Sequence, residues 1–282
     1  MLEIKDLHVS VAGKKVLNGL TLSIPDGELH VIMGPNGAGK STLGLVLAGH
    51  PKCIIESGTV MYNGKNVLSM SPEERSVLGM FLAFQYPFEI PGVTLSHFLY
   101  TTCRKKNPTL KASEFRTHLT SALALVGLPA TFAERHLNVG LSGGEKKRCE
   151  IVQILMLSPS FVVLDEADSG LDIDSLKTVS SAINTLRKKA SLPMKEEGVS
   201  NNPDFSCLLI THYSRILQYI TPDKVHVLIE GKIAFSGDAT LPSKLEKEGY
   251  AWLEVDETIE REKTQKDFIR TSTDSSQVEE LQ

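Results

Sequence analysis

The sequence predicts an α/β fold in which a glycine-rich loop connects a buried strand to a helix. Three short apolar runs, at residues 29–33, 161–164 and 206–210, have the composition of strands covered on both faces, as in a parallel sheet. The first run leads directly into the glycine-rich loop, and residues 41–49 then follow a helical pattern that ends at a glycine. With 282 residues, 41% of them hydrophobic, such a domain can bury a large core without disulfides.

The N-terminal part predicts strands joined by tight turns. Apolar and polar residues interleave in residues 2–7 and alternate in residues 20–24, which is typical of strands with one buried face. Ala12-Gly13 is a turn signal, and Asn63-Gly64 is a hairpin dipeptide inside a second strand-like stretch. We therefore expect an antiparallel β subdomain before and after the glycine-rich loop.

Helical spacing replaces the strand pattern in the middle of the chain. Phe115, Leu119 and Leu123 are spaced as on one face of a helix, and a helical segment also covers residues 146–157. We expect a helical subdomain over about residues 94–157, inserted between two stretches of the α/β core.

Two segments contain too few apolar residues to join a core. Residues 188–204 are rich in Lys, Glu, Asn, Gly, Pro and Ser, which predicts a surface insertion between a helix and a strand. Residues 256–282 are charged and polar, which predicts a disordered tail after a domain spanning residues 1–255.

Composition excludes several classes of function. The net charge of −4 and the pI near 6.1 do not favour nucleic acid as a partner. The sequence contains no run of 18 apolar residues that would span a bilayer, and the N-terminus lacks the features of a secretory signal. The scattered cysteines favour reduced thiols rather than a zinc site or a disulfide framework. They are Cys53, Cys103, Cys149 and Cys207.

The glycine-rich loop fits the pattern G-x-x-x-x-G-K-[ST] in full and lies between a strand and a helix, as a phosphate-binding P-loop does. We expect it to bind nucleotide through Gly34, Pro35, Asn36, Gly37, Ala38, Gly39, Lys40, Ser41 and the adjacent Thr42. Glycines let backbone N–H groups turn toward phosphate oxygens, and Lys40 adds a positive charge. The Ser41 hydroxyl is a suitable ligand for Mg²⁺. A chance glycine-rich turn would explain neither the strand before the loop nor the helix after it.

Two acids end the second apolar run. Asp165 is a candidate Mg²⁺ ligand, and Glu166 is placed to act as the general base that activates water. An exposed acidic strand end is common, so this pattern is weak alone. Its position downstream of a P-loop strengthens the catalytic interpretation.

A second candidate phosphate cradle precedes the helical segment at residues 146–157. Ser142, Gly143 and Gly144 at a helix start can bind an anion. A second cradle in one chain is explained most simply by a head-to-tail pair, in which each copy closes over the ATP of the other. The alternative is a plain N-cap, with Ser142 and Glu145 forming a capping box, and both can hold together.

In this order, the P-loop, Leu141-Ser142-Gly143-Gly144-Glu145 and Leu164-Asp165-Glu166 resemble the ABC ATPase superfamily over about residues 1–255. The resemblance implies the ABC ATPase fold, which has a P-loop RecA-like core, an antiparallel β subdomain and a helical subdomain. It implies ATP and Mg²⁺ as cofactors and catalytic roles for Gln85 and His212 beside Glu166, with Gln85 also reaching the metal. It further implies that residues 169–172 contact the opposite subunit.

One position departs from the family pattern. Many members carry an aromatic residue that stacks on adenine before the glycine of the first hairpin, whereas Val11 stands at the matching position here. An aliphatic contact contributes less than stacking. A non-hydrolysing, ATP-gated clamp is therefore a further hypothesis for this chain.

Other segments resemble the ATPase subunits of the SUF iron–sulfur cluster assembly system. They are Phe84 to Val93, Gly143 to Arg148, Asp168 to Asp174, Thr211 to Leu217 and Gly249 to Leu253. The resemblance implies SufB-like and SufD-like scaffold proteins as partners, an ATP-dependent homodimer and a role in the cytoplasm. The insertion at residues 188–204 and the tail at residues 256–282 depart from the compact bacterial pattern, which suggests a eukaryotic source and a role in the plastid stroma or the cytosol.

The residues after Gln85 offer a candidate docking surface for such a scaffold. Aromatic residues interleave with prolines there, and such side chains bury area at low entropic cost. The alternative is a rigid loop that packs on its own helical subdomain. A second hypothesis for function is the nucleotide-binding subunit of a membrane transporter, which would share the ATP chemistry and differ in its partner.

Overall fold

A computed structural model describes residues 1–187, 205–212 and 214–250. The predicted insertion at residues 188–204 and the predicted tail at residues 256–282 lie outside the described residues. The chain divides into two compact units, Met1–Ala239 and Thr240–Gln282. In the second unit the described part contains one helix, α7 (Leu241–Glu248).

The first unit contains the strands and the remaining helices. The strands are β1 (Leu2–Val11), β2 (Lys14–Ile24), β3 (Leu29–Met33), β4 (Cys53–Tyr62), β5 (Lys65–Asn66), β6 (Met80–Ala83), β7 (Ile90–Thr94), β8 (His136–Leu137), β9 (Phe161–Asp165), β10 (Ser206–Ile210), β11 (Lys224–Ile229) and β12 (Lys232–Gly237). The helices are α1 (Lys40–Ala48), α2 (Pro72–Val77), α3 (Leu95–Lys106), α4 (Ala112–Leu125), α5 (Gly143–Leu157) and α6 (Ile173–Arg187). Short 3-10 helices cover Ala130–Glu134 and Ser214–Gln218.

Two sheets build the α/β core, so the predicted fold class is confirmed. The larger sheet has the order β12-β11-β3-β10-β9-β6, and its pairs are parallel except for β11 with β12. The smaller sheet, β2-β1-β4-β5, is antiparallel, as the turn signals in the N-terminal part predict. All residues of β3, β9 and β10 are buried, which explains their uninterrupted apolar runs.

One apolar core joins both sheets and helix α1. The rings of Tyr62 and Phe161 lie 5.7 Å apart in it, and the Tyr62 hydroxyl satisfies its polar end through a 2.7 Å hydrogen bond with Ser160. Helix α1 contributes Leu43 and Val46 to the same core. Through this packing, the start of α1 is held against the carboxyl end of β3.

The helical part of the chain lies between β7 and β9 in sequence. It contains α3, α4, the first 3-10 helix and α5. The apolar faces of α3 and α4 bury residues at helical spacing, including Leu99, Phe115 and Leu119. Among the described residues, no helix is long and apolar enough to cross a membrane.

Candidate active site

Four adjacent strands of the larger sheet bring the predicted site segments to one edge. The P-loop follows β3, Thr211 and His212 follow β10, Glu166 follows β9, and Gln85 lies two residues after the end of β6. Because β3, β10, β9 and β6 are parallel neighbours, these segments meet at their shared carboxyl edge. Residues separated by as many as 178 positions in the sequence therefore belong to one site.

The P-loop backbone is packed so closely that two of its glycines leave no room for a side chain. A Cβ on Gly34 would lie 2.1 Å from the carbonyl oxygen of Leu228. Gly39 has a φ of 106° and precedes α1, and its Cβ would lie 2.8 Å from Leu17. The loop is fixed further by the N–H of Gly231, which donates to the carbonyl of Ala38 at 3.0 Å. This cradle is suited to phosphate oxygens because its backbone can come close to them.

Lys40 is buried at the start of α1 and bends back over the loop. Its Nζ donates to the carbonyl oxygens of Gly34 at 2.9 Å and Pro35 at 2.8 Å. Burial lowers the pKa of Lys40 to about 8, against the opposing effect of the Glu166 and Asp165 carboxylates. The ammonium group is thus held inside the cradle. There it can exchange its hydrogen bonds with the carbonyl oxygens for hydrogen bonds with the phosphate oxygens of a nucleotide.

Ser41 and Asp165 meet although 124 residues separate them in sequence. The Ser41 hydroxyl donates to Oδ1 of Asp165 at 3.2 Å. Burial raises the pKa of Asp165, and the hydrogen bond from Ser41 partly opposes that shift. A hydroxyl and a buried carboxylate beside a phosphate cradle form a donor set of the kind that Mg²⁺ prefers. The residues present therefore fit that metal.

Glu166 lies between the other two candidate catalytic residues. Gln85 Nε2 donates to Glu166 Oε2 at 2.6 Å, and His212 Nε2 lies 3.1 Å from Glu166 Oε1. Glu166 has a positive φ of 48°, uncommon for a residue with a side chain. Its backbone N–H donates to the carbonyl of Ile210 at 2.9 Å, which ties the turn after β9 to the end of β10. The three predicted residues thus share one hydrogen-bonded cluster.

A second contact between the same two loops was not predicted from the sequence. The Thr211 hydroxyl lies 2.9 and 3.1 Å from the two carboxylate oxygens of Asp168. Asp168 is 1% exposed and Thr211 is fully buried. Burial raises the pKa of Asp168, and the hydrogen bond from Thr211 opposes the shift. The available signals were the threonine before His212 and the second acid after β9, but the contact between these two side chains depends on tertiary structure.

The second candidate cradle is ordered by a helix cap. The Ser142 hydroxyl accepts from the N–H of Glu145 at 3.3 Å, and the N–H of Ser142 donates to the Glu145 carboxylate at 2.8 Å. The capping-box interpretation therefore holds. A Cβ on Gly143 would meet no described atom within 4 Å, whereas one on Gly144 would lie 3.4 Å from the Ser175 hydroxyl. Of the hydrogen bonds among described residues, none joins Ser142, Gly143 or Gly144 to the P-loop.

The segment after Gln85, residues 86–91, is here named the arm. Tyr86 and Phe88 are 78% and 68% exposed, so their side chains are available to another molecule. The backbone of the arm is nevertheless held. The buried Asn138 donates to the carbonyl of Phe88 at 2.8 Å, and Ile90 pairs with Leu137 between β7 and β8. The arm is therefore both an exposed apolar surface and a segment packed on its own helical region.

Two lysines of α5 attach the same region to the helix that carries the second cradle. Lys146 lies 2.8 Å from the Glu89 carboxylate, and Lys147 donates to the carbonyl of Phe84 at 2.5 Å. Lys147 also forms a buried ion pair with Glu150 at 3.0 Å. Burial raises the pKa of Glu150 to about 7, which Lys147 opposes. These contacts were not evident from the sequence because the basic run looks like an ordinary exposed helix face.

Three other predictions concern residues outside this cluster. Val11 is partly exposed at the end of β1, opposite Lys14 and Cys53, and its contact with adenine stays a prediction. The four cysteines are free thiols in the described structure. Of the predicted SUF-like segments, Tyr213 and residues 251–253 lie outside the described residues.

The sequence is similar to those of several known proteins. The profile of the ABC transporter family matches residues 17–169. A probable ABC transporter ATP-binding protein of Streptococcus pyogenes is 47% identical over 263 residues, which cover 92% of this chain and 97% of the relative. The probable ATP-dependent transporter SufC of Escherichia coli is 47% identical over 258 residues, covering 90% and 98%.

The fold is similar to those of solved ATP-binding cassettes. One of these is a dimer in a post-hydrolysis state bound to ADP and phosphate. It superposes with a TM-score of 0.70 and 20% identity, covering 85% of this chain and 99% of that one. At this identity the likeness establishes the fold alone.

Proposed function

The chain belongs to the ABC ATPase family and is a SufC-type member of it, and from this premise we propose that it uses ATP to remodel a scaffold in iron–sulfur cluster assembly. Membership of the family establishes that it binds and hydrolyses ATP, which leaves the hypothesis of a non-hydrolysing clamp without support. The partners that we propose are SufB-like and SufD-like proteins. The observation that carries the scaffold proposal is the exposed arm, which directly follows the Gln85 that bonds to Glu166 and is joined through Glu89 to Lys146 of the helix that carries the second cradle.

In the proposed site, the P-loop backbone and Lys40 bind the phosphates of ATP. Ser41, Asp165 and Gln85 would hold Mg²⁺, which when bound neutralises charge on the phosphate oxygens. Support comes from the Ser41–Asp165 contact and from the packed glycines of the loop.

Glu166 is the proposed general base. Its carboxylate takes a proton from the attacking water, the water oxygen bonds to the γ-phosphorus, and ADP leaves with the electrons of the broken bond. Gln85 and His212 orient the carboxylate from its two oxygens, at 2.6 and 3.1 Å.

A second copy of the chain completes the proposed site. Ser142, Gly143 and Gly144 of one copy would close over the nucleotide of the other, so that ATP brings two chains together. The open surface at Gly143 supports this arrangement, because no described atom fills that side of the glycine. We propose that this closure moves the arm, and with it the scaffold.

The alternative function is the ATP-binding subunit of a membrane transporter, as the name of the similar Streptococcus pyogenes protein suggests. Both functions share the chemistry above and differ in the molecule bound at the arm. We propose the cytoplasm as the compartment, or the plastid stroma in a eukaryote, because the proposed scaffold partners are soluble.

Copurification separates the two functions. We expect tagged chain purified from its source to retain SufB-like and SufD-like proteins. The double variant Tyr86→Ser/Phe88→Ser should lose them, because it removes the two exposed aromatic rings of the arm. Leu125→Ser, at an exposed leucine of α4, is the matched control and should retain them. Stable association with a membrane permease alone would reject the scaffold proposal.

A further inference from the structure

The loops after β9 and β10 are joined by two parallel side-chain contacts. In one, His212 lies 3.1 Å from Glu166. In the other, the Thr211 hydroxyl lies 2.9 Å from the nearer carboxylate oxygen of Asp168. Thr211 immediately precedes His212, and Asp168 follows Glu166 by two residues. We call the second contact the buried link. It is enclosed, whereas the side chains of His212 and Glu166 retain 24% and 15% exposure.

This difference in burial matters for how the imidazole is held. A partly exposed histidine is only weakly positioned by packing, so its place over Glu166 depends on the backbone that carries it. That backbone is anchored at Thr211, whose N–H donates to the carbonyl of Ile32 at 3.2 Å and whose hydroxyl bonds to Asp168. Hydrogen bonds to a buried carboxylate are stronger than those between neutral groups.

The carboxylate end of the link is also fixed. The turn after β9 is closed by a hydrogen bond from the N–H of Ser169 to the carbonyl of Glu166 at 3.0 Å. Asp168 therefore belongs to the same rigid turn as Glu166. It also immediately precedes residues 169–172, the segment that the family resemblance places at the contact between subunits.

We propose that Thr211 and Asp168 are positioning residues for hydrolysis: their hydrogen bond holds His212 in register with Glu166. The proposal rests on the proposed roles of Glu166 and His212. Both side chains are enclosed, with Asp168 1% and Thr211 0% exposed, so both would act through the neighbouring His212 and Glu166.

The test is steady-state ATP hydrolysis by the full chain. Thr211→Val keeps the shape of the side chain and removes the hydroxyl. We expect kcat to fall on the order of tenfold or more, with KM within about twofold, because the loss concerns the transition state rather than substrate binding. Thr211→Ser retains the hydroxyl and should restore kcat to near the wild-type value.

A double variant separates positioning from folding. Thr211→Val removes the Thr211 hydrogen bond to the buried Asp168 carboxylate, which lowers stability. Thr211→Val/Asp168→Asn removes the buried charge, so the melting temperature should recover in part. We expect kcat to stay low in this variant, because the link is still missing. A double variant that regains wild-type kcat together with its melting temperature would overturn the proposal, since the link would then serve stability alone.

Glu166→Gln serves as the reference variant. If it is inactive while Thr211→Val turns over ATP at the wild-type rate, the link has no positioning role and only this proposal is rejected. If Glu166→Gln itself hydrolyses ATP at the wild-type rate, the proposed base is wrong and the positioning proposal falls with it.

Discussion

The two candidate cradles of this chain are built in opposite ways. The P-loop is packed at both ends, since a Cβ on Gly34 would overlap the backbone of Leu228 and one on Gly39 would lie 2.8 Å from Leu17. Lys40 is bonded to the loop's own carbonyls, and Gly37 in the middle of the loop faces no described atom. Around the second cradle the order is local, since a capping box fixes Ser142 while Gly143 faces no described atom. The comparison teaches that the P-loop is fixed by contacts with the rest of its own chain, whereas the second cradle is fixed by its own helix cap, which fits the proposal that it binds the nucleotide of another chain.

Alanine at the two glycines tests this contrast most severely. Gly34→Ala should lower the free energy of unfolding by about 1–3 kcal/mol, because the new Cβ overlaps a backbone carbonyl, and ATP binding should be lost with it. Gly143→Ala should leave the melting temperature unchanged yet abolish ATP-driven pairing of chains. Thermal unfolding and size-exclusion chromatography with ATP measure the two effects. Equal destabilisation by both substitutions would show that the second cradle is also internally packed.

A smaller expected effect is a dependence of ATP affinity on pH, which comes from the P-loop alone. Burial lowers the pKa of Lys40 to about 8. Above pH 8 the ammonium group loses its proton, so the Kd for ATP should rise by up to about tenfold for each pH unit. The folded pKa is below the ordinary value of 10.5, so between about pH 8 and 10.5 the unfolded chain binds more protons. The contribution of Lys40 to stability therefore increases with pH in that window.

Titrations of ATP at pH 7, 8 and 9 check the change in affinity. Lys40→Met is the control and should bind ATP weakly with little dependence on pH. A wild-type Kd that does not change between pH 8 and 9 would contradict the assignment of Lys40 as a phosphate ligand.

The smallest effect concerns the cap of the second cradle, for which the chain offers a matched pair. Ser142 with Glu145 and Ser71 with Glu74 are both capping boxes, at α5 and α2. Glu145→Ala and Glu74→Ala should each lower stability by about 0.5–1 kcal/mol. Only Glu145→Ala should also reduce ATP hydrolysis, by a few-fold, because only its helix start is proposed to face the nucleotide of another chain. Equal hydrolysis by both variants would show that the cap has a structural role alone.

The parts predicted from sequence are those with a local cause. The P-loop was placed between β3 and α1 because glycines, a preceding apolar run and a following helical pattern occur together in the chain. Strands β9 and β10 were recognised because burial on both faces removes their polar residues. Strand β6, an apolar run of only four residues, was not predicted. Helix α6 was expected only as the helix before residue 188, without bounds, although its buried Leu176, Val179, Ile183 and Leu186 have helical spacing.

The contacts that were missed join residues that are distant in sequence. Thr211 and Asp168 are 43 residues apart, and Asn138 and Phe88 are 50 apart. The sequence around each of these residues gives no sign of its partner, because the strand order of the fold decides which residues meet. The buried pair of Lys147 and Glu150 is a similar case, since i,i+3 charges on a helix usually lie in solvent.

The arm has a consequence for how such a protein can diversify. The rings of Tyr86 and Phe88 are exposed. The backbone of Phe88 bonds to Asn138, and the Glu89 side chain bonds to Lys146. Gln85, just before the arm, bonds to Glu166. Substitutions at the outward rings leave those inward contacts in place. The same catalytic unit could therefore acquire a new binding partner, in evolution or by engineering, through substitutions at a few exposed side chains of the arm.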